Sequence, residues 1–573
     1  MTEPGTRRRH SRSTLFVVLA ALIALMIPLG ADAARGGQTT TIQVLGISDW
    51  HAQLDPSFGV GGAAALSSFF KADRAANPNT ITLTAGDDFG ASPPISGFFD
   101  EVPGVLGERL MGIQVGTLGN HNFDAGIDHL QDMIDLAGST DPSVVGTPFE
   151  YVSANLTNRD ENLSGVKDYK IFQFQGVKVA VIGITNPEAP SLVFPGNFGT
   201  IVPSDPIAAA MRARDAARED GAKVFVAITH MGIEGRNSNN VAFGPLVDFA
   251  NGLSGFDLVF GDHTNFMYQA EINGALVIEN LSKGGSYSRT SLTVRRGTAD
   301  LVSRSNTFVT PTASLVTPDQ AVLDMLAPYR AALAPILGVQ LGTSSVVVPR
   351  ADICGNADGR LCESLIGDLV TDAMMAHTGA TLALTNAGGL RANLTCPVID
   401  NAADFCPAFT APPYPITRGQ TFEVLPFGNF AVTIDVNGAE LKAMLERGFS
   451  LMPGASGRFP QVGGMCVTYN VEAAIGSRVT SVVRQAADGT CTGVAVGLTA
   501  ASSYTLATND FTAAGGDGYP NFASRVVSDG TTLEQALADY VVANTPLTPA
   551  VQGRIVCTDP NPASGNACPT ILP

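Results

Sequence analysis

A chain of 573 residues is too long for one ordinary domain and reads as two large domains or three smaller ones. Hydrophobic residues make up 45% of it, which supplies sizeable cores and excludes a disordered chain. The formal net charge of −18 argues against binding long nucleic acid, which needs basic patches to displace counterions, but allows a small phosphorylated ligand held by metal ions and a few arginines.

The first element, "TRRRHSRSTLFVVLAALIALMIPLGADAA", joins a basic segment, an apolar stretch and an A-x-A-like site at Ala31 and Ala33. It reads as a secretory signal peptide over residues 1–33, with an uncleaved anchor as the alternative. Cleavage after Ala33 leaves 30 basic against 50 acidic residues, a net charge near −20, and no stable membrane span. The expected location is secreted, periplasmic or attached to the cell envelope.

From about 41 to 305, β-rich apolar runs alternate with helix-like segments. The runs include "TIQVLGI", "TITLTA", "QVGTLG", "VKVAVIGI", "KVFVAI" and "DLVFG", with "GAAALSSFFKADRAA" and "DPIAAAMRARDAAREDGA" among the helical patterns. This rhythm is that of an α/β domain. Several runs end in polar, turn-forming clusters: "SDWH", "GDD", "GNHNFD", "THMG" and "GDHTN". Open α/β sheets place ligands in loops beyond the carboxyl ends of their strands, so these clusters can converge.

Residues 306–345 form a linker with a connecting helix. Residues 346–550 form a second domain, followed by a cysteine-containing tail over 551–573. Cys354, Cys362, Cys396, Cys406, Cys466, Cys491, Cys557 and Cys568 all lie beyond 350. An even count in an exported chain favours disulfides over zinc ligation, and sequential pairing would close four short loops. Sequence does not fix the connectivity.

Four histidines, His51, His121, His230 and His263, fall in the strand-end clusters together with Asp49, Asp87, Asn120 and Asn265. One such histidine would be read as a turn residue; four in this company point to metal. Imidazole, carboxylate and amide oxygens without thiolate suit hard-to-borderline divalent ions. Two ions sharing a carboxylate can clamp a transferring phosphoryl group. His129 and His377 lie in helix-like segments without such neighbours and read as structural.

The series "SDWH", "AGDD", "GNHNFD", "THMG" and "GDHTN" resembles the five blocks of the calcineurin-like metallophosphoesterases, in particular their exported 5′-nucleotidase branch, which includes UDP-sugar hydrolases. The resemblance implies a four-layer α/β/β/α N-terminal sandwich and a second α+β substrate-binding domain. It implies two divalent ions, drawn from zinc, manganese, cobalt or iron. Asp49, His51 and Asn265 match ligands of the first ion, Asp87 the bridging carboxylate, and Asn120, His230 and His263 ligands of the second. His121 matches the residue that faces the phosphate, oriented by Asp124. Asn122 stands where "GNHEFD" usually carries an acid.

In the C-terminal half, "LTNAGGLRANL" resembles the family's N-G-G-G-[IV]-R block, implying Asn386 and Arg391 as substrate contacts. "GRLCESLIGDLVTDAM" suggests Arg360; paired guanidinium donors suit a phosphate. "VLPFGNF" and "TNDFTAAGGDGYP" resemble the blocks that hold the nucleobase between two aromatics and bind the ribose, implying Phe427, Phe511 and Asp517. The activity implied is hydrolysis of nucleoside 5′-phosphates by in-line attack of metal-bound water. The alternatives are 2′,3′-cyclic-nucleotide phosphodiesterase with 3′-nucleotidase action, UDP-sugar hydrolysis and, remotely, a non-catalytic surface binding module.

Overall fold

A computed structural model describes residues 38–57, 59–395, 411–561 and 567–572. The predicted signal peptide, Cys396 and Cys406 lie outside the described residues. Among those described, no helix is long and apolar enough to cross a membrane.

The strand Thr39–Ile47 shows why two sheets form. Ile42 and Val44 belong to one apolar cluster, while Leu45 and Ile47, pointing the other way, belong to another. A strand buried on both faces reads as a near-continuous apolar run and must sit inside layers. The first six-stranded sheet runs in the order Leu301–Val309, Tyr287–Arg295, Thr39–Ile47, Thr80–Thr84, Val115–Gly116, Glu150–Tyr151. The second runs Tyr268–Ile272, Ala275–Glu279, Leu258–Gly261, Val224–Thr229, Val177–Ile184, Tyr169–Phe174.

The sheets face one another across a shared core in which Val44, Ile81 and Val115 of the first join Val181, Ile228 and Phe260 of the second. The helices Ala63–Ala76, Val102–Met111 and Gly126–Gly138 supply the apolar cluster on the outer face of the first sheet. Pro206–Glu219 and Pro245–Gly252 supply that of the second. This is the four-layer α/β/β/α arrangement expected. The helix Gln320–Leu337, begun by Asp319 accepting from the Ala321 N–H, adds Val322, Leu326, Leu333 and Leu337 to the first of these clusters.

The C-terminal half is built on a four-stranded sheet in the order Ala431–Asn437, Ser503–Asn509, Leu382–Asn386, Pro460–Gly463. Helices Leu365–Thr378 and Leu533–Asn544 join the apolar cluster on one face; the other cluster draws on Gly438–Gly448 and on a three-stranded sheet. That smaller sheet includes Ile555–Thr558, paired in parallel with Met465–Asn470, so the tail is part of the fold. Disulfides join Cys354–Cys362, Cys466–Cys491 and Cys557–Cys568, the sequential pairing expected for those six.

Candidate active site

The strands Thr39–Ile47, Thr80–Thr84 and Val115–Gly116 run parallel in one sheet, and Val224–Thr229 and Leu258–Gly261 run parallel in the other. Their carboxyl ends deliver Asp49 and His51, Asp87, Asn120 and His121, His230, and His263 to one region. The chain pays conformational energy to bring them there: Asp49, His51, Asp87, His263 and Asn265 have φ of 41°, 51°, 44°, 85° and 63°. Left-handed backbone at this many non-glycine residues persists only where the surroundings hold it, and such residues cluster at functional sites.

Asp87 is the hub. Its Oδ2 lies 2.9 Å from His230 Nε2, and its Oδ1 accepts from the His121 N–H at 2.8 Å. Donor atoms of His51, Asp87 and His121 lie within 4.8 Å of one another, as do those of Asp87, His230 and His263. His230 Nε2 is 3.2 Å from Asn120 Oδ1 and 3.1 Å from His263 Nδ1. His51 Nε2 lies 3.7 Å from Asp49 Oδ1, whose partner oxygen Oδ2 accepts from the His263 N–H at 2.8 Å. Among the described residues, Asp87 therefore joins two overlapping donor groups, as a bridging carboxylate must.

The electrostatics are mixed: burial and then Asp262 hold the Asp49 carboxyl well above its usual range. Burial opposes charge on Asp87, but the neighbouring His230, His121 and His51 hold its carboxyl well below the usual range. Burial and His121 keep His51 neutral, while burial and His230 push His263 down to about 3. Neutral imidazole is the form that binds metal. His230 goes the other way: burial is outweighed by the Asp87 carboxylate, which raises it. Asn265 Oδ1 is buried without a hydrogen-bond partner, an orphaned acceptor that a cation would satisfy. The donor set and the orphan fit a metal centre.

His121 is placed differently. Its Nδ1 is 2.8 Å from Asp124 Oδ2, and the ring lines a cavity of about 880 Å³. The carboxylate accepts a hydrogen bond from Nδ1–H, leaving Nε2 to face a ligand. Asn120, His263 and Asn265 line the same cavity from the N-terminal half, and Arg360, Asn386, Arg391, Phe427, Phe511 and Asp517 line it from the C-terminal half. The six residues expected from the sequence to contact substrate thus line one cavity together with Asn120, His263 and Asn265. Asn386 Nδ2 donates to Asp517 Oδ2 at 2.8 Å, and Asn386 Oδ1 accepts from Asn509 at 3.1 Å. Arg360 Nε is buried with no partner. Burial, then Arg360, push Arg391 down to about 10.

Three buried acids escaped the sequence reading. Asp262 stands inside the "GDHTN" cluster, where it reads as a turn residue; its Oδ2 accepts from the Asp49 N–H at 3.1 Å and lies 3.4 Å from His230 Nδ1. Glu279 accepts from Ile233 N–H, Phe266 N–H and the Thr264 hydroxyl, tying the loop after His230 to the loop around Asn265. Asp88 accepts from the Asn122 amide. His129 also lines the cavity, with its Nε2 3.1 Å from the Asp100 carbonyl, and His377 lies 3.3 Å from Asp529.

Comparison with known proteins bears on this geometry. A family model described as "5'-nucleotidase, C-terminal domain" matches residues 340–524. The chain is 26% identical to the endonuclease YhcR of Bacillus subtilis over 82% of its own length, but spans only 37% of that relative. It is 24% identical to a 5′-nucleotidase of Vibrio cholerae, covering 94% of this chain and 96% of the other. The crystal structure of a 5′-nucleotidase precursor from Thermus thermophilus aligns with a TM-score of 0.76 at 24% identity, over 90% of this chain and 99% of that one, which shows the shared fold.

Proposed function

We propose that this chain, whose residues 340–524 match the 5′-nucleotidase C-terminal domain model, is an exported, metal-dependent phosphohydrolase that converts nucleoside 5′-phosphates into nucleoside and phosphate. The observation that supports this most is a cavity of about 880 Å³ lined by Asn120, His121, His263 and Asn265 from one half and by the arginines and phenylalanines of the other. A metal centre alone would serve any phosphoester; the second set of residues suits a nucleoside.

By the motif match, Asp49, His51, Asp87 and Asn265 would hold one divalent ion, and Asp87, Asn120, His230 and His263 a second, from zinc, manganese, cobalt or iron; of these, Asp87, His230 and His263 stand as one compact donor group. When bound, such ions polarise phosphoryl oxygens and lower the pKa of water. The protein's own residues do the rest. Arg360 and Arg391 offer guanidinium donors to the phosphate. His121, its Nδ1 held by Asp124, presents Nε2–H to the phosphoryl oxygen where charge develops. Phe427 and Phe511 stack on the base and Asp517 accepts from ribose hydroxyls, orienting the 5′-oxygen as leaving group. The phosphorus–O5′ bond breaks as the water oxygen bonds to phosphorus, giving nucleoside and phosphate. Exported location is supported by the signal-like segment at 1–33.

The test is a panel of 5′-AMP, 3′-AMP, cyclic 2′,3′-AMP, ATP and a UDP-sugar, with and without chelator. Chelator-sensitive release of phosphate from 5′-AMP in preference to 3′-AMP, abolished in Asp87→Ala, is the expected result. Preference for the cyclic or 3′ substrate would overturn the assignment.

A further inference from the structure

Asn122 follows His121 directly and is 1% exposed. Both ends of its amide are committed: Oδ1 accepts from the Gly119 N–H at 2.8 Å, and Nδ2 donates to Asp88 Oδ1 at 2.6 Å. Asp88 Oδ2 accepts from the Tyr151 hydroxyl, and the Glu108 carboxyl lies against the same group. Asp88, Glu108 and Tyr151 are as deeply buried as Asn122. The amide has one usable orientation. Turned over, it would set Nδ2 against a backbone N–H and Oδ1 against a carboxylate, leaving both contacts unmatched.

The turn this pair holds has no slack. A Cβ on Gly119 would lie 2.1 Å from Asp87 Oδ1, and the His121 N–H donates to that same oxygen at 2.8 Å. Any shift of Gly119 therefore moves Asn120 and His121 relative to the hub carboxylate.

We propose that Asp88 and Asn122 are a matched pair of positioning residues that lock the Gly119–His121 turn against Asp87, with the acid carried by residue 88 and the amide by residue 122. This accounts for the departure from "GNHEFD": a glutamate at 122 would set a second carboxylate against Asp88, whereas asparagine supplies the donor Asp88 needs. The pair acts through Asn120 and His121, so its effect on turnover rests on the functional reading above; its effect on metal retention does not.

The test exploits the one-way geometry. Asn122→Asp alone sets two carboxyl groups face to face, and Asp88→Asn alone either sets two amide donors face to face or, turned over, trades the acceptor of the Tyr151 hydroxyl for an NH2. The exchange Asp88→Asn/Asn122→Asp restores the three contacts that hold the turn: the new amide accepts from Tyr151 and donates to residue 122, whose other oxygen accepts from Gly119. Wild type and the three variants, as full chains loaded with manganese, are compared for manganese retained after dialysis against a weak chelator, for kcat and KM on AMP, and for thermal melting. Each single variant is expected to lose about ten- to a hundredfold in manganese affinity and in kcat, with KM little changed, and the exchange to recover most of the loss. Folded single variants with wild-type retention and kcat would overturn the proposal, as would an exchange variant as impaired as the singles. Should a single variant fail to fold, recovery or non-recovery in the exchange still decides. A wild type that retains manganese but leaves AMP intact refutes the functional reading, and retention across the variants still decides the pair.

Discussion

The ring of Phe427 stacks on the imidazole of His121, with centroids 5.6 Å apart and planes inclined by 20°. The Arg391 guanidinium lies 5.6 Å from the centroid of the same phenylalanine. A base-stacking candidate from one half of the chain thus touches the phosphate-facing candidate from the other. If Phe427 holds the base, Phe427→Ala removes about 1–3 kcal/mol of binding, a rise in KM for AMP of roughly 5- to 150-fold with a smaller change in kcat. Steady-state kinetics check this; a fall in kcat at constant KM would instead make Phe427 a support for His121.

His121 and Asp124 invite a second separation. His121→Ala is expected to lower kcat by about 10²–10³, the scale of losing one donor to a developing oxyanion. Asp124→Asn should fall in the same direction, because the carboxylate bonded to Nδ1 sets the ring's tautomer and orientation. Asp124→Asn should keep wild-type metal content by elemental analysis, since Asp124 belongs to neither donor group around Asp87, whereas His121 is part of the one with His51. Asp87→Ala, in contrast, should lose metal and activity together.

Much of the site was legible because each metal candidate directly follows a strand-like apolar run, and strand ends in layered α/β folds converge. Asp49, Asp87, His230 and His263 illustrate this. The cavity contacts from Asn386, Phe427 and Asp517 were legible only through the resemblance of their surrounding blocks; singly, each reads as core or turn. The Asp88–Asn122 bond was out of reach because it joins two loops 34 residues apart, and neither residue type alone announces a buried partner. Glu279 is hidden likewise, since its donors come from two other loops. The strand Ile555–Thr558 escaped because four residues paired with a distant strand carry no usable period.

Glu101 gives a pH-dependent expectation. It lines the cavity, accepts from the Ser96 hydroxyl at 2.7 Å, and is pushed by burial up to about 7. Its proton is retained in the folded state between about 4.5 and 7, where the unfolded chain has already lost it. The folded state binds more protons across that window, so its stability falls as pH rises through it, and the loss is complete above 7. Glu101→Gln should therefore raise the melting temperature at pH 8 and leave it unchanged at pH 4, with a ceiling of about 3 kcal/mol. Melting curves at the two pH values check the sign.

The three described disulfides separate stability from function. Their bridges span 25 residues for Cys466–Cys491, 11 for Cys557–Cys568 and 8 for Cys354–Cys362. Loop-closure entropy assigns them about 3.5, 2.8 and 2.5 kcal/mol, so replacing Cys466 and Cys491 by alanine should lower the denaturation midpoint most. The smallest ring carries the functional consequence. Arg360 lies between Cys354 and Cys362, its N–H donating to Asn356 Oδ1, while Asp352 accepts from the N–H groups of Leu361 and Cys362. Opening that ring should cost the least stability yet raise KM for AMP, because it frees the loop that carries Arg360, whose buried Nε has no partner, to the cavity. Denaturation and kinetics on the paired alanine variants check both orders. A Cys354/Cys362 variant with unaltered KM would show that the remaining hydrogen bonds around Asp352 suffice to hold Arg360.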